Sequence, residues 1–254
     1  MSLSIDKSID KSIDLNFDWN NNSTQIITDT NDDNNYFKIN VLIKKKIFPF
    51  LRDKNKFSEL LIDKDSLSYI SKKKFSEKIT EIIKNHVEIL KLQPNEMKVV
   101  DLTAGVGGNT ISFCKNFNYV YAVELDQIRC IYLKNNLNVY EIKNCLIYNQ
   151  DSTICMKQFN NNKEKYCDIV FIDPPWGGKD FKVHNKLKLY LSNISIEKLC
   201  NNLIDKVIKP KLICLKLPPN YDIDHFYKNI HIRCSKKIYL YDLEKMIIVV
   251  IIVD

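Results

Sequence analysis

From Met97 onward, short apolar runs rich in β-branched residues alternate with longer segments of helical spacing, and this alternation constrains the fold more than any other feature. MKVVDL (97–102), YVYAVEL (119–125), CLIYNQD (145–151), DIVFID (168–173) and KLICLKL (211–217) read as buried strands. NTISFCKNF, DQIRCIYLKNNLNVY, SIEKLCNNLIDKVI and DIDHFYKNI read as helices. Strands that alternate with helices stack into a mostly parallel sheet with helices on both faces. The last two strands, KKIYLYDL and KMIIVVIIV, are joined too closely for a crossover and must pair antiparallel. The expected class is α/β: a mostly parallel seven-stranded sheet with an antiparallel last strand.

Upstream the character changes. SIDKSIDKSID (4–14) is a short repeat that runs into NNNST and NDDNN, so residues 1–35 are expected to be a disordered low-complexity tail. Residues 36–95 are expected to form a small, mainly helical lobe, and 96–254 the main domain. Pro49 breaks any long helix, and KFSELLID suggests a short one. In SKKKFSEKITEIIKNHVEIL (71–90), Phe75, Ile79, Ile82, Ile83, Val87 and Leu90 fall on one helical face, with Ser71 as N-cap and Gln93-Pro94-Asn95 as the stop.

Charge is unevenly spread. The chain carries +7, but seven aspartates against two lysines leave residues 1–35 at −5, so the rest carries +12. A basic body points to a polyanion such as RNA or DNA. No apolar run reaches the roughly 18 residues of a membrane span. The first residues lack a secretory pattern, so an intracellular protein is expected, in nucleus, cytoplasm or a viral factory. The eight cysteines form no CxxC pair and mostly sit in apolar segments, the pattern of buried free thiols. No Cys/His spacing suits zinc, so no metal is expected. The four histidines are scattered and none is assigned to catalysis.

VVDLTAGVGGNT (99–110) follows the first strand and opens a helix. Its glycines let backbone approach a ligand. The GK[ST] ending of a phosphate loop is missing, and the dinucleotide spacing GxGxxG is not met. The loop resembles the D/E-x-x-x-G-x-G motif of S-adenosylmethionine enzymes with a Rossmann-like fold. That resemblance places Asp101 near the cofactor's amino-acid end and the backbone of Thr103, Ala104, Gly105 and Gly107 along its methionine part, with Asn109 opening the helix. Glu124, at the second strand's tip, suits a bidentate grip on ribose hydroxyls. Asp151, with Ser152 beside it, stands where the resemblance puts the acceptor for the adenine amine. Three acids at successive strand ends lie where open α/β sheets bind ligands.

DPPW (173–176) ends the fourth strand. Methyltransferases that act on planar exocyclic amines carry [DNS]-P-P-[YFW] there. Such an amine is a weak nucleophile because its lone pair is delocalised into the ring. The Asp173 side chain and the Pro174 carbonyl can hold its two N–H groups and aim the lone pair, while Trp176 stacks on the ring. Alignment would supply most of the rate, and no strong base is needed. With AGVGGNT (104–110) and DPPWGG (173–178), the sequence resembles the trimethylguanosine synthase family, over roughly residues 60 to 225. The resemblance implies methyl transfer from S-adenosylmethionine to N2 of a 7-methylguanosine RNA cap, by a monomer without metal. It also implies that Trp176 stacks on 7-methylguanine, whose positive charge suits an indole face. Gly177 and Gly178 would clear space for the cap.

The family's S-V-T-P-E segment is matched around Ser71, a candidate cofactor contact, although Leu67 and Lys72 replace its tryptophan and proline. KLPPNYD (216–222) matches L-P-R-N, which offers Asn220 to the substrate, but Pro219 replaces the arginine. Asp173 stands where many members have serine. Candidate cations for the cap's triphosphate are Lys179, Lys182, Lys186 and Lys188, the trio Lys44, Lys45 and Lys46, and Lys216. Two rival readings are an enzyme that methylates an internal base amine, and a cap-binding protein that kept the fold without activity.

Overall fold

The apolar runs become strands where the alternation puts them. The computed structural model describes residues 39–161, 167–205, 209–231 and 237–253. Residues 37–254 make one compact unit, and the expected disordered tail falls outside the described residues.

Helices α1 (Val41–Ile47), α2 (Ser66–Tyr69) and α3 (Lys73–Ile89) precede the sheet. The expected helix in KFSELLID is a 3-10 turn over Lys54–Glu59, after which the chain is extended. Then come β1 (Lys98–Asp101), α4 (Gly108–Cys114), β2 (Tyr119–Glu124), α5 (Gln127–Val139), β3 (Cys145–Asn149), α6 (Ser152–Asn161) and β4 (Ile169–Ile172). A short hairpin of β5 (Tyr190–Leu191) and β6 (Ile194–Ser195) leads into α7 (Ile196–Ile204), β7 (Leu212–Leu217), α8 (Ile223–Asn229), β8 (Ile238–Asp242) and β9 (Ile247–Ile252). Helix α6 and the hairpin were not legible as periodic segments.

The seven-stranded sheet has the order β3-β2-β1-β4-β7-β9-β8. All its strands run one way except β9, which slots antiparallel between β7 and β8. From β1 the chain winds outward through β2 and β3, then returns to place β4 on the other side of β1. That reversal opens a crevice between the tips of β1 and β4, the place where such sheets bind ligands.

Period-two alternation splits the strand residues between two cores. Val99, Val120, Phe171, Cys214 and Val250 face α1, α3, α4 and α5. Val100, Val123, Val170, Ile213 and Val249 face α6, α7 and α8. Burying each such side chain contributes about 1.5–3 kcal/mol. The residues before β1 share the first of these cores through Phe48, Phe57, Leu60, Ile79 and Ile83.

Ser71 does not cap α3; Lys72 does, with no side-chain bond. The Ser71 hydroxyl instead accepts from Asn109 Nδ2 at 3.0 Å. Asn136, fully buried on α5, ties the upstream segment to the glycine loop. Its Oδ1 accepts from Leu61 N at 2.7 Å, and its Nδ2 donates to Leu61 O (2.8 Å) and Val106 O (2.9 Å).

Candidate active site

The glycine loop between β1 and α4 is held from below. Asp101, completely buried, accepts from Thr103 N (3.1 Å) and from Thr110 Oγ1 (2.7 Å). Burial pushes its carboxyl up to about 7, against the pull of those two bonds. Ala104 N donates to Val123 O at 3.0 Å, which fixes the loop to β2. Gly105 and Gly107 have φ of 53° and 106°, conformations costly for other residues. A Cβ on Gly107 would meet Leu133 at 2.8 Å, whereas Gly105 faces open space. A Cβ on Gly108 would meet the Ser71 carbonyl at 2.9 Å, so a glycine is what lets the upstream segment close on the loop.

Glu124, at the tip of β2, accepts from Gly105 N (2.8 Å) and Asp126 N (2.9 Å). One lone pair on each oxygen is thus committed to backbone, and the carboxylate shapes the loop as well as facing the crevice edge. Asp151 caps α6 through Thr153 N (2.7 Å) and accepts from Ser192 Oγ (2.5 Å). Burial alone would raise its carboxyl; bonds from Ser192 and Thr153 outweigh that and hold it below the usual carboxylate range. Ser152 turns inward, its hydroxyl donating to Leu102 O. Leu125 is 69% exposed and Ile154 49%, and they follow Glu124 and Asp151 along the chain. Their exposure was not legible in the sequence, where they read as ordinary strand and helix residues. Asn149 Nδ2 fixes the Leu125 carbonyl at 2.8 Å.

The second half of the crevice grows from β4. Asp173 N donates to Thr103 Oγ1 at 2.8 Å, so one threonine joins the glycine loop to the Pro-Pro turn. The Asp173 carboxylate pairs with Lys216 Nζ at 2.5 Å. Burial raises its pKa, and the Lys216 charge, the Lys216 bond and the nearby Trp176 indole offset this only in part. Lys216 Nζ also stands 5.2 Å from the Trp176 ring centroid, so one indole face already carries a cation and a stacking ring must use the other. Phe181 meets the indole edge-to-face at 5.2 Å. Gly177 and Gly178 have positive φ with open space where a Cβ would stand.

Several expected substrate contacts take structural roles. Asn220 Nδ2 donates to Phe181 O and His184 O, both at 2.6 Å, and anchors the segment after the slot. Lys44 is buried and donates to Ser58 O (2.8 Å), which removes it from the candidate phosphate ligands. Lys216 is removed too, buried against Asp173. The side chain of Lys179 lies outside the described residues. Lys182 and Lys188 remain, as does Lys186, 4.0 Å from Asp224 on the exposed surface.

Buried polar atoms without protein partners test the fit to a ligand. They include Asn109 Oδ1 on the cofactor side, and Trp176 Nε1 and Asn220 Oδ1 on the substrate side. Such atoms cost stability unless something bonds them. With the open side of Gly105 and the exposed Leu125 and Ile154, they fit a nucleoside cofactor whose amino-acid end lies on the glycine loop. A glycine cradle joined by Thr103 to a planar-amine slot is the arrangement of an S-adenosylmethionine-dependent methyltransferase.

Comparison with known proteins agrees. The chain belongs to the RNA cap guanine-N2 methyltransferase family, whose model matches residues 96–249. It is 37% identical to protein L320 of Acanthamoeba polyphaga mimivirus over 225 residues, 82% of this chain and 85% of that one. It is 29% identical to the trimethylguanosine synthase of Saccharomyces cerevisiae over 196 residues, 70% of this chain and 56% of the yeast protein. Among solved structures, the T. thermophilus 16S rRNA N2 G1207 methyltransferase, in complex with AdoMet and guanosine, superposes with a TM-score of 0.51 at 15% identity. That match covers 76% of this chain and 44% of that one, and shows a shared fold.

Proposed function

We propose that the protein methylates N2 of the guanine in a 7-methylguanosine RNA cap. The observation that carries this reading is the placement of Asp173, Pro174 and Trp176 against the glycine loop through the Thr103–Asp173 bond. Bound S-adenosylmethionine supplies an electrophilic sulfonium methyl. Asp173 holds one N–H of the guanine amine with its free oxygen. Pro174 takes the other with its carbonyl, which no backbone N–H occupies among the described residues. Trp176 stacks on the cationic base, a contact worth about 2 kcal/mol when desolvated. Lys182, Lys186 and Lys188 follow the slot and supply charge for the triphosphate. The amine becomes acidic only as its new N–C bond forms, so its proton can pass to water. Relationship to the yeast trimethylguanosine synthase favours the cap over an internal guanine.

The test is methyl transfer from labelled S-adenosylmethionine to two cap analogues, with and without the N7 methyl. Transfer to the N7-methylated analogue alone, lost in Trp176→Ala, is the expected result. No transfer to either, with S-adenosylhomocysteine still bound, would overturn the cap reading and direct attention to internal guanines.

A further inference from the structure

We propose that Lys216 is a positioning residue for methyl transfer: it keeps the Asp173 carboxylate ionised and turns its free oxygen toward the amine. The inference rests on the proposed use of Asp173 in amine recognition. It starts from register. Ile172 pairs with Leu215 in neighbouring parallel strands, so Asp173 and Lys216 come next to each other at the two strand tips. Their side chains are 15% and 5% exposed, and the Nζ–Oδ2 contact is 2.5 Å. A lysine this buried cannot reach a phosphate outside; among the described residues its ion-pair partner is Asp173.

The pair has work to do because the site is crowded with acids. The groups acting on Asp173 are Lys216 from β7 and the Trp176 indole from its own turn, while Asp101 on β1 feels the Asp173 charge. Thr103 takes the backbone N–H of Asp173 and leaves the carboxylate to Lys216. Burial favours the neutral acid, and a neutral acid is a weaker acceptor for an amine N–H. Lys216 opposes this. By taking Oδ2 it also leaves Oδ1 as the oxygen that can meet a substrate. Its ammonium over one face of Trp176 fixes the indole on the same side. One lysine therefore orients both the acid and the aromatic of the slot.

The experiment compares wild type, Lys216→Met and Lys216→Arg. The first readout needs no substrate: the ¹³C carboxyl titration of Asp173, assigned with Asp173→Asn. Losing an opposite charge at this distance is expected to move the Asp173 titration upward by about one to three pH units. Lys216→Arg should stay near wild type. The second readout is the pH profile of kcat with the N7-methylated cap analogue. In Lys216→Met its acid limb should move up with the titration and the rate should recover at high pH, a recovery that mere loss of packing would not give. Folding is checked by S-adenosylhomocysteine binding, and Lys216→Gln stands in if the Met variant does not fold. An unchanged Asp173 titration in the neutral variants overturns the proposal. So does a shifted titration that leaves the kcat profile where it was. Absence of methyl transfer by the wild type counts against the cap substrate alone, since the titration reads Lys216 independently.

Discussion

The two halves of the crevice differ in how many of their polar groups the protein itself satisfies. On the cofactor side Asp101, Glu124 and Asp151 already accept hydrogen bonds from the protein, Ser71 and Asn109 bond each other, and Asn109 Oδ1 is left unpaired. On the substrate side Asn220 Oδ1 is buried and unpaired, and the Trp176 Nε1–H lies near the Asp173 carboxylate without a formed hydrogen bond. A half whose acids and hydroxyls are already paired has most of its shape before any ligand arrives. A half with unpaired groups gains from the right ligand what those groups lost on burial, about 1–3 kcal/mol for each. Preformed shape suits a cofactor used in every turnover, and unpaired groups suit discrimination among bases.

That contrast can be broken by variants that should touch one half only. The largest effect is expected from Asp173→Ala: kcat should fall about 100-fold, the scale of a misplaced nucleophile, while S-adenosylhomocysteine affinity by calorimetry stays within about twofold. Trp176→Ala should lose roughly thirtyfold in preference for the N7-methylated cap analogue, the ratio that about 2 kcal/mol gives. Gly107→Ala belongs to the other half. Its positive φ and the Leu133 contact should weaken S-adenosylhomocysteine about tenfold, from roughly 1–3 kcal/mol of strain.

A smaller effect is expected from pH. If the cofactor's ammonium lies over Asp101, the ionised acid binds it better. With a pKa of about 7 in the free protein, affinity should rise as pH rises. The gain is about fivefold between pH 6 and 7, and about twofold more above that. A flat profile in titration calorimetry would detach Asp101 from the ligand and leave it as a support for the loop. The smallest effects concern phosphate. Lys182→Ala, Lys186→Ala or Lys188→Ala should each lower the salt slope of capped-RNA binding by about 0.7. Lys44→Ala should leave it unchanged, because Lys44 is spent on Ser58.

Most of the sheet could be read from the chain because period-two burial writes itself into sequence. Val99 and Val100, or Val249 and Val250, face opposite cores and are both apolar. The strand-tip acids and the Pro-Pro turn were legible for a related reason: charge and proline interrupt apolar runs. What could not be read were pairings across distance. Nothing local to Ser71 distinguishes a helix cap from a partner of Asn109, because a hydroxyl serves both. Lys216 looked like any lysine near a sheet edge until register set it beside Asp173. Lys44 had the look of a solvated cluster, yet its neighbours in the fold bury it. Leu125 and Ile154 are apolar residues whose exposure shows only in the fold.

The asparagine that joins the upstream segment to the loop also sets a schedule for synthesis. Leu61 waits for Asn136, which is made 75 residues later. At about 5–20 residues per second, that is roughly four to fifteen seconds. During that interval Phe48, Phe57 and Leu60 have no core to enter, because β1, α4 and α5 are still being made. Before the sheet exists, the residues of their core already made are those of the upstream segment and α3. A slow stretch of translation before Asn136 would lengthen that window, and a fast one would shorten it.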